Sequence, residues 1–209
     1  MTMTELTVVR SPAGFHRYDL VRAFLQLRKA VFIDDLEWPL YQYDEIEFEQ
    51  YDTFRAVYLI AHDGARVLGG ARLIRTDWSL GTGKVRYSYM IRDACNGLLP
   101  DMPKELCFEP PPTDPKVWEL TRLATIPGTG VARDLLHATN RFLMQEGATR
   151  CLFLGPPAFL RMAKGMGFLP SRLGPTVKND DGSFLAFSCN VMDLPRAENM
   201  RYIDLGAPT

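Results

Sequence analysis

The stretch that decides the fold lies past the middle of the chain and reads 120-LTRLATIPGTGVARDLL-136. The apolar pattern of Val117–Ala124 predicts a strand, and helical spacing from Val131 to about Gln145 predicts a helix. Between them, Pro127-Gly128-Thr129-Gly130 has the composition of a turn, whose glycines let backbone N–H groups approach a phosphate at a helix start. A Gly-x-Gly alone fits a plain tight turn equally well, and the third glycine of a dinucleotide-binding fingerprint is absent.

Outward from this stretch, apolar periodicity predicts alternating strands and helices. The predicted strands are 6–9, 54–61, 66–74, 150–154 and 183–191, and the predicted helices are 18–32, 90–99 and 156–166, with a turn at His62-Asp63-Gly64-Ala65. Residues 39–52 read as an acidic, aromatic-rich loop, and 75–116 as loop-rich. This order predicts a mixed α/β fold, with one mostly antiparallel sheet and helices on both faces, in a single domain over residues 1–209.

Composition excludes several classes of protein. Apolar residues make up 46% of the 209 and charged residues 23%, which argues against a disordered chain or a coiled coil. No apolar run is long enough for a spanning helix, and the first residues lack a signal-peptide core, so we expect a cytoplasmic protein without stable membrane insertion. A net charge of −1 argues against nucleic-acid binding, and four scattered cysteines argue against a metal site.

Charge is unevenly distributed. Residues 1–52 carry 5 basic and 10 acidic side chains, whereas residues 133–178 carry 7 basic side chains against Asp134 and Glu146. The first region is suited to holding a cation and the second to meeting an acidic partner, although an uneven solvated surface explains the same distribution.

A set of short segments carries charged and aromatic residues in a fixed order. The segments are LRKAVF with Arg28 and Phe32, LEW with Trp38, YDEIEFEQYD with Glu49 and Asp52, GGARLIRT with Arg72, VWELTRLA with Glu119 and Arg122, and SRLGP with Arg172. This ordered set, from about Leu27 to Pro175, resembles the acyl-homoserine-lactone synthase (autoinducer synthase) family. The resemblance implies a single GNAT-like α-β-α sandwich.

The resemblance also implies an activity and its substrates. The expected enzyme is an acyltransferase that uses S-adenosylmethionine and an acyl thioester, on acyl carrier protein or coenzyme A, to make an N-acyl-homoserine lactone quorum-sensing signal. Methylthioadenosine is the second product. Both small molecules are substrates, so we expect no cofactor and no metal.

The residue types suit that chemistry, and we assign them in three groups. The catalytic residues are Glu119, Arg122, Glu49 and Asp52; the substrate-binding residues are Arg28, Phe32, Trp38 and Arg72; the residues that bind the acyl carrier are Gly128, Gly130, Arg161, Lys164 and Arg172. We expect the acids to form an anionic cavity for the cationic substrate, the aromatic rings to cover its sulfonium or adenine, and Glu119 to act as the base. Arg28 is expected to hold the substrate carboxylate or to organise the acids.

Each assignment has a structural alternative. Arg28 would only pair with Asp34 or Asp35, Phe32 and Trp38 would be core residues, and a buried Arg72–Glu119 or Arg122–carboxylate pair would brace the fold. Because Glu119 and Arg122 lie three apart on one strand, regular alternation separates them, and we predict a strand irregularity between them.

The chain departs from the family pattern at four positions. Glu49 replaces a usual Asp, Cys95 a usual aromatic residue, Thr121 a usual Ser, and Gly155 a Thr associated with 3-oxo-acyl preference. Two other functions stay open, namely a GNAT-type acyltransferase that acts on another amine with acyl-CoA, and a non-catalytic relative. Oligomeric state and acyl length are left undetermined by the sequence.

Overall fold

A computed structural model of the chain describes residues 4–64, 66–179, 182–194 and 200–206. These residues group into two units: unit 1 comprises the described residues of 1–73, 122–141 and 195–209, and unit 2 those of 74–121 and 142–194. Each unit is described in turn.

The secondary structure comprises four α-helices and thirteen strands among the described residues. The helices are α1 (Tyr18–Arg28), α2 (Met90–Cys95), α3 (Val131–Gln145) and α4 (Pro157–Gly165), with a 3₁₀ turn at Phe15–Arg17 and a π-helix at Lys29–Asp35. The strands are β1 (Thr4–Arg10), β2 (Gln42–Tyr43), β3 (Ile46–Glu47), β4 (Val57–His62), β5 (Val67–Arg75), β6 (Leu80–Thr82), β7 (Val85–Tyr87), β8 (Val117–Thr125), β9 (Arg150–Gly155), β10 (Pro170–Arg172), β11 (Val177–Asn179), β12 (Gly182–Asn190) and β13 (Met200–Asp204).

Unit 1 is built on strands in the order β5-β4-β1-β13. The β5–β4 and β4–β1 pairs are antiparallel, and β1–β13 is parallel. All six residues of β4 are buried, which is the pattern expected of a central strand covered on both faces.

Two adjacent glycines of β5 show which helix covers each face of unit 1. A Cβ on Gly70 would lie 2.6 Å from the ring of Phe24 on α1, whereas one on Gly69 would lie 3.1 Å from Val131 on α3. Successive side chains of a strand point to opposite faces, so α1 and α3 pack on opposite faces of β5. The close approach of both helices requires residues without side chains here.

Unit 2 combines parallel and antiparallel pairing. Strands β8 and β9 are parallel, with regular register from Val117 to Leu120, and β12 pairs antiparallel with β9, β10 and β11. Phe153 on β9 stacks on its cross-strand partner Phe187 with ring centroids 5.0 Å apart, and Phe159 of α4 meets both rings edge-on. This aromatic cluster fixes α4 on the sheet.

The predicted fold class is confirmed, because the described strands pair mostly antiparallel and helices cover both faces of β5. The single domain over residues 1–209 stays a prediction. No described helix is long and apolar enough to cross a membrane, and the described residues contain no cluster of potential metal ligands.

Several element predictions were wrong in detail. The helix predicted over 18–32 changes at Lys29 into a π-helix, because apolar spacing does not separate 3.6-residue from wider turns. The predicted loop 39–52 contains the β2–β3 hairpin, and β4 begins at Val57 rather than 54, since Phe54 is 76% exposed. Ala65, the last residue of the predicted turn, lies outside the described residues.

Candidate active site

Arg28 is the first of three arginines in a buried cluster of unit 1. It is the last residue of α1, is fully buried, and donates from Nε to Glu47 on β3. Its two terminal nitrogens donate to the two oxygens of Asp52, at 2.7 and 3.0 Å. Every guanidinium nitrogen of Arg28 donates to an acid, which favours a role in organising the acids over one in holding a substrate carboxylate. The alternative pairing with Asp34 is wrong, because Asp34 accepts from Lys29.

Arg72 on β5 is the second buried arginine. It donates from Nη2 to Glu49, and its Nη1 lies 2.8 Å from Asp52 Oδ1. The backbone N–H of Glu49 donates to the other oxygen of Asp52 at 3.0 Å. Asp52 therefore joins Arg28, Arg72 and the backbone of Glu49.

Arg122 on β8 is the third arginine. Its Nη2 donates to Glu49 Oε2 at 2.9 Å and, more weakly, to Glu47 Oε1 at 3.4 Å. Its Nε is buried and has no hydrogen-bond partner among the described residues. A buried N–H without an acceptor is costly, and this atom has almost no accessible surface.

The cluster joins three arginines to three acids, namely Glu47, Glu49 and Asp52. The acids do not point into bulk water, and each is paired with an arginine. The anionic cavity for a cationic substrate stays a prediction. The Glu49 side chain is the most exposed of the three acids, at 13%. Arg122 pairs with carboxylates, as in the alternative in which such a pair braces the fold. The same residue can brace the fold and bind a substrate.

Charge pairing sets the pKa of the acids. Burial raises the pKa of Glu49, but the positive charges of Arg122 and Arg72 outweigh it, and the net pKa is below the ordinary value. Burial also raises the pKa of Asp52. The positive charges of Arg72 and Arg28 outweigh this effect, and the pKa of Asp52 lies well below its usual range. Both acids are ionised at neutral pH.

We expect stability to fall in acid because of these two groups. A carboxyl with a depressed folded pKa stabilises the fold above its unfolded pKa, about 3.9 for Asp and about 4.3 for Glu, and loses that contribution as pH falls toward the folded pKa. Urea unfolding at pH 7, 5, 4 and 3 should give a free energy of unfolding that declines mainly below about pH 4.5. Glu49→Gln should show a shallower decline, and stability that rises on acidification would contradict the assignment.

Phe32 and Trp38 form a stacked pair beside the cluster. Their rings are 5.3 Å apart and inclined by 9°, and the backbone N–H of Trp38 donates to the carbonyl of Phe32. The guanidinium of Arg122 lies 5.6 Å from the Phe32 ring centroid. Both aromatic residues pack on the unit 1 core, with Trp38 only partly buried. Phe32 therefore lies in the core and Trp38 at its margin, and their contact with a substrate stays a prediction.

Glu119 lies in unit 2 and is almost fully buried. Its two carboxylate oxygens accept from the backbone N–H groups of Met90 and Ile91, both at 2.8 Å, at the start of α2. A carboxylate held by two N–H donors has a fixed orientation. The regular β8–β9 register through Leu120 contains no bulge, so an irregularity between Glu119 and Arg122 stays a prediction for Thr121 and Arg122.

The glycine turn precedes α3 in unit 1. Gly128 and Gly130 have φ of 77° and 71°, and a Cβ at either position would meet nothing within 4 Å. Their backbone conformation, rather than lack of space, therefore selects glycine. The turn is exposed, and its role in binding an acyl carrier stays a prediction.

The basic residues assigned to the acyl carrier lie in unit 2. Arg161 and Lys164 are exposed on α4, three residues apart and so on one helix face. Arg172 is exposed on β10 and donates to Thr176 Oγ1 at 2.7 Å. The surface formed by Arg161, Lys164 and Arg172 is called the basic surface below.

The structure shows the surroundings of Gly155 and Cys95, two of the four departures from the family pattern. A Cβ on Gly155 would lie 3.0 Å from Phe159, so the ring of Phe159 fills the space beside this position. Cys95 is the last residue of α2. Burial raises the pKa of its thiol, and a hydrogen bond with the Cys107 thiol partly offsets this increase. All four cysteines are free.

Sequence reasoning missed two members of the cluster. Glu47 alternates with Glu45 and Glu49, which is a strand-like signal inside the predicted loop. Tyr58 donates its hydroxyl to Asp52 Oδ1 at 2.8 Å, but nothing in its apolar strand sequence distinguishes it from a core residue.

Comparison with known proteins gives matches along most of the chain. The family model described as "Autoinducer synthase" matches residues 16–94. An acyl-homoserine-lactone synthase of Aliivibrio fischeri is 36% identical over 162 residues, covering 73% of this chain and 76% of that protein. One of Ralstonia solanacearum is 30% identical over 164 residues, covering 73% of each.

Solved structures share the fold. The CoA-dependent acyl-homoserine lactone synthase BjaI, solved with S-adenosylmethionine and isopentyl-CoA, superposes with a TM-score of 0.77 at 19% identity, covering 95% of this chain and 93% of that one. The synthase LasI gives 0.71 at 20% identity, covering 92% of each chain. At identities this low, the similarity to these structures is evidence for a shared fold only. That fold agrees with the GNAT-like architecture that the family resemblance implies.

Proposed function

The chain belongs to the acyl-homoserine-lactone synthase family, and from this premise we propose that it makes an N-acyl-L-homoserine lactone from S-adenosylmethionine and an acyl thioester. The amine of S-adenosylmethionine attacks the thioester carbonyl, the carbon–sulfur bond breaks, and the thiol leaves with a proton. The substrate carboxylate then attacks the γ-carbon of the methionine part, which is bonded to the sulfonium. That carbon–sulfur bond breaks, and neutral methylthioadenosine leaves.

The observation that carries this proposal is the juxtaposition of Glu49 and Arg122. S-adenosylmethionine has an ammonium and a carboxylate on one carbon. Its site therefore needs a negatively charged and a positively charged side chain next to each other. Glu49 and Arg122 are joined at 2.9 Å, Glu49 is the most exposed acid of the cluster, and Arg122 Nε has no described partner. We assign the ammonium to Glu49 and the carboxylate to the Arg122 guanidinium, and contact with its buried Nε requires the side chain to move when the substrate binds.

The aromatic pair supports binding of the rest of the molecule. A sulfonium or an adenine ring is attracted to an aromatic face, and Trp38 is the partly exposed member of its stack with Phe32. Arg28, Arg72 and Asp52 hold Glu49 and its neighbours in place.

Proton removal needs a base, and we propose Glu119. The assignment comes from the resemblance of VWELTRLA to the family, and it is supported by a carboxylate whose orientation is fixed by two backbone N–H groups. The lactone-forming step needs no acid, since a sulfonium is a good leaving group, and positioning contributes most of that step.

The acyl donor is proposed to be acyl carrier protein or coenzyme A. The basic surface suits an acidic carrier protein, whereas the structurally similar BjaI is CoA-dependent and was solved with isopentyl-CoA. We propose that the protein acts in the cytoplasm.

Reversing the charge of the basic surface separates the two donors. Arg161→Glu with Lys164→Glu should raise the apparent KM for acyl carrier protein about 10-fold and leave the affinity for S-adenosylmethionine unchanged, because charge pairs between docking surfaces mainly affect encounter. Steady-state kinetics measures the first quantity and calorimetry the second. Equal loss of both would show that these residues only support the fold. Arg201→Glu, an exposed arginine of β13, serves as the control.

The experiment that tests the function is incubation of the purified protein with S-adenosylmethionine and a panel of acyl carrier protein and CoA thioesters, with mass detection of both products. Equimolar lactone and methylthioadenosine are expected. A GNAT-type enzyme acting on another amine would release thiol without methylthioadenosine. A non-catalytic relative would bind S-adenosylmethionine and release neither product.

A further inference from the structure

Tyr58 connects the core of unit 1 to the charged cluster. It lies on β4, directly opposite Arg72 of β5, and its ring meets Phe24 edge-on with centroids 6.4 Å apart. The side chain is buried, and its hydroxyl donates to Asp52 Oδ1 at 2.8 Å. The rigid β4–β5 pair therefore holds this hydroxyl in a fixed place.

Asp52 receives an unusual number of donors. Its Oδ1 lies 2.7 Å from Arg28 Nη1 and 2.8 Å from Arg72 Nη1, in addition to Tyr58. Its Oδ2 accepts from the backbone N–H of Glu49 at 3.0 Å. A rotation of the Asp52 carboxylate would thus move the residue to which we assign the substrate ammonium.

We propose that Tyr58 is a positioning residue for S-adenosylmethionine, which fixes the Asp52 carboxylate and through it the backbone and carboxylate of Glu49. The two arginines reach Asp52 through long side chains with several rotatable bonds, whereas the phenol of Tyr58 has only two and is set on a central strand. Tyr58 is a neutral side-chain donor beside two charged ones, so it orients Asp52 without adding charge. This inference rests on the proposed function.

The phenol remains a donor at physiological pH. Burial, and next the negative charge of Asp52, raise the pKa of Tyr58 well above its ordinary value. The hydroxyl proton is therefore present whenever the enzyme is active.

Tyr58→Phe tests the inference, because it removes the hydroxyl and leaves the ring contact with Phe24. We expect the apparent KM for S-adenosylmethionine to rise roughly 3- to 10-fold, the effect of one hydrogen bond, with kcat within about 2-fold of the original enzyme. The KM for the acyl thioester should not change. The matched control is Thr7→Val, which removes a buried hydroxyl that bonds His62 at 2.8 Å on the neighbouring strand β1.

A binding measurement makes the test independent of turnover. The rise in melting temperature on adding S-adenosylmethionine should be smaller for Tyr58→Phe than for Thr7→Val, since stabilisation by a ligand follows its affinity. An unchanged KM in folded Tyr58→Phe, an equal change in Thr7→Val, or a fall in kcat alone would each overturn the inference. Absence of lactone from the unmodified enzyme would instead contradict the proposed function.

Discussion

Replacement of Arg28 by methionine is expected to lower the free energy of unfolding by about 3–5 kcal/mol, the cost of leaving a buried ion pair without one partner. Methionine fills much of the same volume, so a cavity contributes little. Glu47 and Asp52, both almost fully buried, would lose their shared donor. Their mutual repulsion would then destabilise the β2–β3 hairpin and the segment after it.

Urea unfolding at neutral pH measures this change. The control is Lys29→Met at the next residue, whose exposed amine pairs with Asp34 and should have little influence on stability. If Arg28→Met unfolds at the same urea concentration as the original protein, the buried cluster does not stabilise the fold.

Glu119→Gln is expected to lower turnover by roughly 10²–10⁴-fold, because an amide is not a base. Glutamine also has only one acceptor oxygen for the two N–H groups of Met90 and Ile91. The variant therefore tests two roles at once, and loss of rate alone does not separate them.

Two further measurements separate the roles of Glu119. The matched control is Asp93→Asn, which alters another buried carboxylate of α2 that accepts the Ser88 N–H at 2.8 Å. If Glu119 is the base, Glu119→Gln loses the acidic limb of the pH–rate profile while Asp93→Asn keeps it. Equal losses in both variants, with the profile unchanged, would identify Glu119 as a structural anchor of α2.

Much of the cluster could be predicted from the sequence. The ordered set selected Arg28, Arg72 and Arg122 together with Glu49 and Asp52, which the structure brings into direct contact. A charged residue inside an apolar strand, such as Arg72, needs a partner, and this alone indicates a buried network. The pairing partners lie up to 75 residues apart, so local patterns do not determine them.

Other features lacked a local signal. The π-helix at Lys29–Asp35 has the same apolar spacing as a regular helix, and the β2–β3 hairpin is too short for a visible alternation. Strand β13 is stabilised mainly by its parallel pairing with β1 and by the Arg10–Asp204 contact, and both depend on residues almost 200 positions away. Tertiary contacts therefore decide these elements.

Glu49, which the resemblance marks as a departure from a usual Asp, contacts two arginines in the structure. One Glu49 oxygen pairs with Arg72 and the other with Arg122, so this side chain spans two guanidinium groups. The additional methylene lengthens its reach between them.

The pairing of three acids with three arginines has a consequence for substrate binding. These ion pairs are formed within the protein itself, so the arrangement of the side chains does not depend on a bound ligand. Under the proposed function, S-adenosylmethionine binds a cluster whose ion pairs are already formed, which lowers the cost of ordering these side chains on binding.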